Sequence, residues 1–384
     1  MINRINIFFT YLFCLLPILL ITGPALPDIT ISLGGIFFLY YIFFTKEKYE
    51  IIKNNFFQIS IVFWISLIFI SFFAFDNLKS FEDALIFIRF LLIPIGCYFL
   101  FFKNDVFFKY LLLIIFVIVI FVSLDTLLQF FRYTSIDGFG KDIFGFKSKW
   151  DGRLTGPFKD ELIPGSYISK FGLLGFAYIL INKKLNKIIY LKPIYLSLIL
   201  VVCFVSGERM ALAAYSLGLL LLFLFLKENR KIVFLAMSVG LLSILTIYKF
   251  HPFYSDYKIL ESNELHLGLK IEKEFPCKEN QNQLCTKIVD RQPNFFKIIK
   301  NFSSSAYGEI YLLSYQMFKD NPITGIGINN FKFLCNKEIK YKSMMSELNC
   351  QAHPHNVYIQ WITEGGLIVF FLYLFYLYFL FNLI

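Results

Sequence analysis

The residues best suited to chemistry lie in one short segment near the end of the chain. His353-Pro-His-Asn356 sets two imidazoles and an amide directly before a long apolar segment. A neutral imidazole, with an ordinary pKa of about 6.5, can take a proton from a sugar hydroxyl near neutral pH. Since Pro354 holds the preceding residue extended, we expect His353 to precede the helix and His355 to begin it. The alternative is that the histidines only cap a helix.

Two arginines are suited to binding a phosphorylated lipid. Arg209 follows Ser206-Gly-Glu208 in a very short connection between apolar segments, which places it at the edge of the membrane. A guanidinium binds phosphate oxygens in pairs and stays charged, although an arginine there could simply snorkel to the interface. Arg89 lies about two turns inside another apolar segment, where an unpaired charge is costly. It either pairs with a neighbouring acid or lines a substrate cavity.

A polar loop between residues 132 and 163 precedes another apolar segment. Part of it reads Arg153-Leu-Thr-Gly-Pro-Phe-Lys-Asp-Glu161, in which glycine and proline predict ordered turns. Asp125 and Gln129, spaced i to i+4, share one face of the helix before this loop. They either point into a shared cavity or hydrogen-bond a neighbouring helix.

Apolar runs long enough to cross a membrane recur along most of the chain. Hydrophobic residues make up 57% of the sequence, aromatic residues 20%, and the mean hydropathy is +0.64. In lipid each backbone polar group must be satisfied within its own segment, so such runs form helices. We therefore predict an all-α, polytopic transmembrane helical bundle of about ten helices with one large outer loop. The predicted spans are 5–22, 27–44, 56–74, 82–101, 108–131, 162–181, 191–206, 209–226, 231–249 and 364–384.

Basic residues predict the orientation of these helices. They concentrate in the loops after the second, fourth, sixth and eighth helices, so these loops and the N-terminus are predicted to be cytoplasmic. The predicted domains are 1–250 with nine transmembrane helices, 251–352 as a large outer loop with an amphipathic helix, and 353–384 with the histidine motif and the last helix. The net charge of +10 is therefore largely a topology signal, and we expect no nucleic-acid partner.

Four cysteines fall in the predicted outer loop, where an oxidising compartment permits disulfides: Cys277, Cys285, Cys335 and Cys350. Three pairings are open, and we favour Cys277 with Cys285 and Cys335 with Cys350, because each closes a short loop. A zinc site is disfavoured, since no C-x-x-C pair occurs. The last apolar segment continues to residue 384 without a charged tail, which suggests a truncated C-terminus.

The chain resembles the O-antigen ligase and O-antigen polymerase superfamily of bacterial envelope glycan enzymes. The resemblance rests on Asn321-Pro-Ile-Thr-Gly-Ile-Gly-Ile-Asn-Asn-Phe331, on Cys335 and Cys350, and on His353-Pro-His-Asn-Val-Tyr-Ile-Gln-Trp-Ile-Thr-Glu-Gly-Gly-Leu367. The 153–161 loop segment and an arginine that opens a helix support it. The first four predicted helices match only in hydropathy.

The resemblance implies a glycosyltransferase in the bacterial inner membrane with a large periplasmic loop. Its donor would be a glycan on undecaprenyl pyrophosphate, its acceptor lipid A-core or a lipid-linked glycan, and it would need no metal or other cofactor. His355 would act as base or positioning group for the acceptor hydroxyl, and Arg209 would hold the pyrophosphate. The candidate substrate-binding residues are Arg153, Arg89, Glu161, His353 and Asn356.

One departure from the family pattern concerns a second arginine before the Pro-x-x-Gly-x-Gly turn. Here that region reads Ser305-Ala-Tyr-Gly-Glu309, and Tyr307 cannot replace the charge. Arg291, Lys297, Arg153 and Arg89 are the candidates to supply it. We favour an O-antigen ligase, with an O-antigen polymerase as the alternative. A lipid-linked sugar transporter is the second alternative, although Arg89 is the only deep charge and no internal repeat is evident.

Overall fold

The computed structural model describes residues 2–44, 48–99, 105–134, 137–149, 152–255, 270–276, 284–290, 302–345 and 350–383. Within these ranges the chain is mainly helical. The helices are α1 (Ile2–Cys14), α2 (Leu16–Leu19), α3 (Ala25–Phe44), α4 (Lys48–Lys53), α5 (Asn55–Ser71), α6 (Asn77–Cys97), α7 (Asp105–Phe131), α8 (Pro164–Ile181), α9 (Lys183–Asn186), α10 (Leu191–Val205), α11 (Arg209–Phe225), α12 (Arg230–Phe250), α13 (Pro252–Ser255), α14 (Ala306–Asp320), α15 (Phe331–Lys337), α16 (Ile339–Lys342) and α17 (Val357–Leu383). Strands β1 (Lys270–Pro276) and β2 (Leu284–Asp290) pair antiparallel.

The predicted helices are present in the structure. Within the described residues each of the ten apolar segments contains helix, although the segment 5–22 is divided into α1, α2 and a short 3-10 turn. Among the described residues, four helices are long and apolar enough to cross a membrane: Ala25–Phe44, Val106–Phe131, Lys227–Phe250 and Val357–Leu383. The apolar helices α5, α10 and α11 are shorter. A mainly helical membrane architecture is thus confirmed, while ten spans, the orientation and the three-part division stay predictions. The hairpin β1–β2 was not predicted.

The chain forms two compact units. The terminal unit comprises Met1–Phe13, Asp28–Asn104 and Asn294–Ile384, and the central unit comprises Cys14–Pro27 and Asp105–Pro293. The histidine motif and Arg89 belong to the terminal unit, whereas Arg153 and Arg209 belong to the central unit.

The central unit packs α7, α8, α10 and α11 around an apolar core. Glycines on α8 let α10 approach closely: the Tyr195 hydroxyl donates to the carbonyl oxygen of Gly172 at 3.0 Å, and a Cβ at Gly175 would collide with that hydroxyl. In a lipid setting, small residues at such a contact permit close packing of helix backbones. This packing fixes the starts of α8 and α11, which carry the polar groups described below.

The terminal unit has an aromatic core between α5, α6 and α17. Trp361 on α17 meets Phe63 and Phe87 edge to face, with ring centroids 5.3 Å and 5.4 Å away. Such arrangements are favoured by the ring quadrupoles. The core therefore fixes the first turns of α17, directly after the histidine motif.

Candidate active site

In the central unit, the turn 206–208 directly precedes α11 and packs against the loop segment that carries Arg153. Gly207 has a φ of +77°, and a Cβ there would collide with the carbonyl oxygen of Gly152. The N–H of Leu154 donates to the carbonyl oxygen at the start of the turn at 3.1 Å. Because Arg153 lies between these two contacts and Arg209 is the first residue of α11, the two positive charges act on each other. The structure thus brings together two of the predicted site residues.

Glu208, immediately before Arg209, caps α8. Its buried carboxylate accepts hydrogen bonds from the N–H of Gly165 at 2.7 Å, the N–H of Ser166 at 3.2 Å and the Ser166 hydroxyl. A negative charge here also suits the positive end of the helix dipole. Glu208 therefore links the start of α8, which it caps, to the start of α11, which it directly precedes.

Two polar residues of α7 anchor the outer loop. Gln129 is fully buried, accepts from the N–H groups of Thr155 at 3.1 Å and Gly156 at 2.9 Å, and donates to the Thr155 hydroxyl at 3.1 Å. Asp125 accepts from the N–H of Ile143 at 2.7 Å. The predicted common face is correct, but these side chains bind a loop, whereas we expected a cavity or another helix.

The same loop carries Arg153 and Glu161. Arg153 is partly buried and donates to the carbonyl oxygen of Leu162 at 3.1 Å. Glu161, one residue earlier, is exposed. The carboxylate thus lies on the same short loop as a guanidinium that the backbone holds in place, and its role in substrate binding stays a prediction.

Asn356 caps α17. Its side-chain oxygen accepts from the N–H groups of Tyr358 at 3.0 Å and Ile359 at 3.2 Å. The helix begins at Val357, so the expectation that His355 begins it is wrong by two residues. The histidines are therefore not needed as caps, and the Asn356 oxygen has a structural task in addition to any contact with substrate.

The two imidazoles form a small cluster with a tyrosine. His353 Nδ1 accepts from the backbone N–H of His355 at 3.1 Å, and the ring centroids are 4.4 Å apart. The ring of Tyr307, at the start of α14, meets that of His355 at 6.1 Å and 83°. The position without the expected arginine thus lies beside the predicted catalytic histidine. Nothing in the sequence, apart from that family pattern, indicated this contact.

His355 has the properties of a neutral base. Among the described residues no side chain hydrogen-bonds its imidazole, which keeps access to solvent. Burial lowers the pKa of His355 below its ordinary value, and repulsion from the neighbouring His353 when both rings are protonated lowers it further. The imidazole is therefore mostly unprotonated at neutral pH and can accept a proton.

The glycine-containing turn 321–331 docks into a break in α17. Gly366, with a φ of +62°, interrupts the helix. The N–H of Ile326 donates to the carbonyl oxygen of Thr363 at 3.1 Å, and that of Gly327 to Glu364 at 2.9 Å. These bonds satisfy carbonyl groups that the break releases. The glycines of this turn thus allow the two backbones to approach closely.

Arg89 fits both interpretations of a deep arginine. It forms an ion pair with Asp28 of α3 at 2.8 Å and donates to the Ser32 hydroxyl at 2.6 Å. It also lines a cavity of about 460 Å³ in the terminal unit, together with Asp83 and Gln360. Asp28 lies on another helix, so the partner of Arg89 is not an acid close to it in the sequence.

One of the two expected disulfides is confirmed. Cys335 and Cys350 are bonded, with Cα atoms 5.8 Å apart. Cys277 and the Cys285 side chain lie outside the described residues, as do Arg291 and Lys297. The confirmed bond ties α15 to the segment that leads into the histidine motif.

Residues 194–374 match a family model described as O-antigen ligase. The matched segment includes Arg209, the docked turn, the disulfide and the histidine cluster. No curated protein and no solved structure matches the chain.

Proposed function

Through residues 194–374 the chain belongs to the O-antigen ligase superfamily, and we propose that it transfers a polyprenyl-pyrophosphate-linked glycan onto lipid A-core. The observation that carries the proposal is His355, a solvent-accessible imidazole with a lowered pKa inside the family segment. Its neighbour Asn356 meets the capping needs of α17, so His355 is available for a substrate.

In the proposed reaction an acceptor hydroxyl oxygen attacks C1 of the donor sugar. The C1–O bond to pyrophosphate breaks with its electron pair, and the hydroxyl proton passes to the His355 imidazole. The products are lipid A-core that carries the transferred glycan and free polyprenyl pyrophosphate. Neutral imidazole suits this step because a base must be unprotonated when the hydroxyl attacks.

Arg209, aided by Arg153, would bind the pyrophosphate and stabilise the charge that develops as it leaves. The positive charges of Arg153 and Arg209 act on each other, and a pyrophosphate that contacts both guanidiniums would offset that repulsion. Glu161, His353 and Asn356 complete the proposed substrate contacts.

The proposed setting is the bacterial inner membrane, with a cytoplasmic N-terminus and a periplasmic loop over 251–352. The lysine-rich alternate loops support this orientation. The disulfide Cys335–Cys350 supports an oxidising compartment for that part of the chain.

The test is transfer in proteoliposomes with a labelled undecaprenyl pyrophosphate glycan and lipid A-core. His355→Asn removes the imidazole with less backbone strain than alanine would cause, because His355 has a φ of +57° and asparagine tolerates that conformation. Arg209→Lys keeps the charge and removes paired binding, and Arg230→Lys is its control, since Arg230 hydrogen-bonds the carbonyl oxygens of Phe223 and Leu224.

We expect wild type and Arg230→Lys to label lipid A-core, and His355→Asn and Arg209→Lys to lose most of the transfer. Label that moves only into longer lipid-linked chains would replace the ligase by a polymerase. Folded wild type that transfers to neither acceptor would refute the transferase proposal and favour transport.

A further inference from the structure

The cavity in the terminal unit has an aromatic wall and polar side chains. Its rings include Phe63, Phe87, Trp361 and Tyr373, and its polar residues are Asp83, Arg89, Asn329 and Gln360. The volume of about 460 Å³ is in the range of small-molecule sites. Nothing described so far occupies or explains it.

Two side chains that line the cavity have unused hydrogen-bond donors. Trp361 is 6% exposed, and its buried Nε1 has no hydrogen-bond partner among the residues that the structure describes. Arg89 Nε is likewise buried and without a partner. Buried donors are normally paired, so these two N–H groups call for an oxygen-bearing ligand. A hydrocarbon chain would leave both unpaired and would also desolvate Asp83.

The charges around the cavity disfavour an anion. The guanidinium of Arg89 is already neutralised by Asp28, with which it makes contacts of 2.8 Å and 3.1 Å. Asp83, which accepts from the Asn329 amide at 2.9 Å, adds a further negative charge. Among the described residues that line the cavity, a phosphate or pyrophosphate would thus meet one carboxylate and no cation other than the already neutralised Arg89.

We infer that this cavity binds a neutral sugar ring of a glycan substrate. Aromatic faces pack against the apolar face of the sugar, the free N–H groups of Trp361 and Arg89 donate to its hydroxyl oxygens, and Asp83 and Gln360 serve its hydroxyl protons. The inference rests on the proposed function. It assigns Arg89 to a sugar site. The sequence had instead made Arg89 a candidate to replace the second arginine of the family pattern.

The placement of the cavity connects it with the proposed base. Val357, Gln360 and Trp361 belong to the first turns of α17, which starts two residues after His355. A sugar held there contacts the first turns of the helix that directly follows the histidine motif. This arrangement fits the acceptor glycan, and the donor glycan is the other source of the same chemistry.

Tryptophan fluorescence tests binding without turnover. The chain has three tryptophans, so Trp64→Phe with Trp150→Phe leaves Trp361 as the reporter. Three probes are added separately to the purified full chain: dephosphorylated, delipidated core oligosaccharide; the donor glycan released from its lipid; and sugar-free farnesyl pyrophosphate.

We expect a saturable change in Trp361 emission with one of the saccharides and none with farnesyl pyrophosphate. The saccharide that responds identifies the source. A response to farnesyl pyrophosphate alone, or to no probe with folded protein, would overturn the inference. A saccharide response in protein that transfers nothing would refute the proposed function and leave the sugar site standing.

A second measurement compares two single variants in the transfer assay. Trp361→Phe keeps an aromatic ring and removes the free donor, so the KM for the bound saccharide should rise about two- to tenfold with kcat little changed. Trp64→Phe is the matched control, because its indole N–H donates to the carbonyl oxygen of Ala84 at 2.9 Å and neither residue lines the cavity. Equal KM values for Trp361→Phe and Trp64→Phe would count against the site.

Discussion

Replacement of Glu208 by alanine should destabilise the protein through the start of α8. The carboxylate accepts from Gly165 N–H, Ser166 N–H and the Ser166 hydroxyl. Gly165 is buried and Ser166 is partly buried, so water does not fully replace the carboxylate as acceptor. In Glu208→Ala the main loss is therefore at the two backbone N–H groups. At about 1–3 kcal/mol for each buried donor, discounted for Ser166, the expected loss is about 3 kcal/mol.

A pair of variants separates capping from chemistry. Glu208→Gln keeps one acceptor oxygen but turns an amide N–H₂ toward donors, so its loss should be smaller, about 1–2 kcal/mol. Glu161→Ala removes an exposed carboxylate from the neighbouring loop and should leave stability unchanged. Thermal unfolding in detergent, followed by intrinsic fluorescence, measures these losses. Stability should decrease in the order Glu161→Ala, Glu208→Gln, Glu208→Ala. Wild-type stability of Glu208→Ala combined with lost transfer would refute the capping argument and make Glu208 a reacting group.

Three further predictions concern the histidine cluster, the disulfide and the helix break. His353→Gln removes the charge that lowers the pKa of His355, so the acid limb of the pH profile of transfer should move to higher pH; an unchanged or lowered limb would contradict the coupling. Replacement of both Cys335 and Cys350 by serine, with a sequence separation of 15, should cost about 3 kcal/mol in the free energy of unfolding, and reductant should affect wild type but add little in this variant. Gly366→Ala places a Cβ against a backbone carbonyl at a φ of +62° and should lower the melting temperature clearly; wild-type melting would show that the break relaxes.

Apolar helices were predictable because their signal is local. A run of leucine, isoleucine and phenylalanine in lipid has no alternative to helix, and the described part of each predicted segment contains helix. Contacts between distant segments carry no such signal. The i to i+4 spacing of Asp125 and Gln129 showed their common face, but the loop that they bind lies up to 27 residues further along the chain.

The same limit applies to the candidate site. The glycines at 325 and 327 were visible in the sequence, whereas the break at Gly366 that accepts their turn became evident only in the folded chain. Arg89 was correctly suspected of pairing, but its partner Asp28 is 61 residues away, on another helix. Tyr307 beside His355 was visible only as a departure from a pattern.

The backbone at His355 supplies a last argument about its role. A φ of +57° is unfavourable by about 1–2 kcal/mol for residues other than glycine, although histidine and asparagine tolerate it better than most. If only the turn before Asn356 mattered, glycine would adopt it at lower cost. Glycine also gains freedom in the unfolded chain, which offsets about 0.5–1 kcal/mol of that benefit. His355→Gly should therefore melt at or slightly above the wild-type temperature while losing transfer. A clear loss of stability would instead show that the imidazole is a packing group against Tyr307.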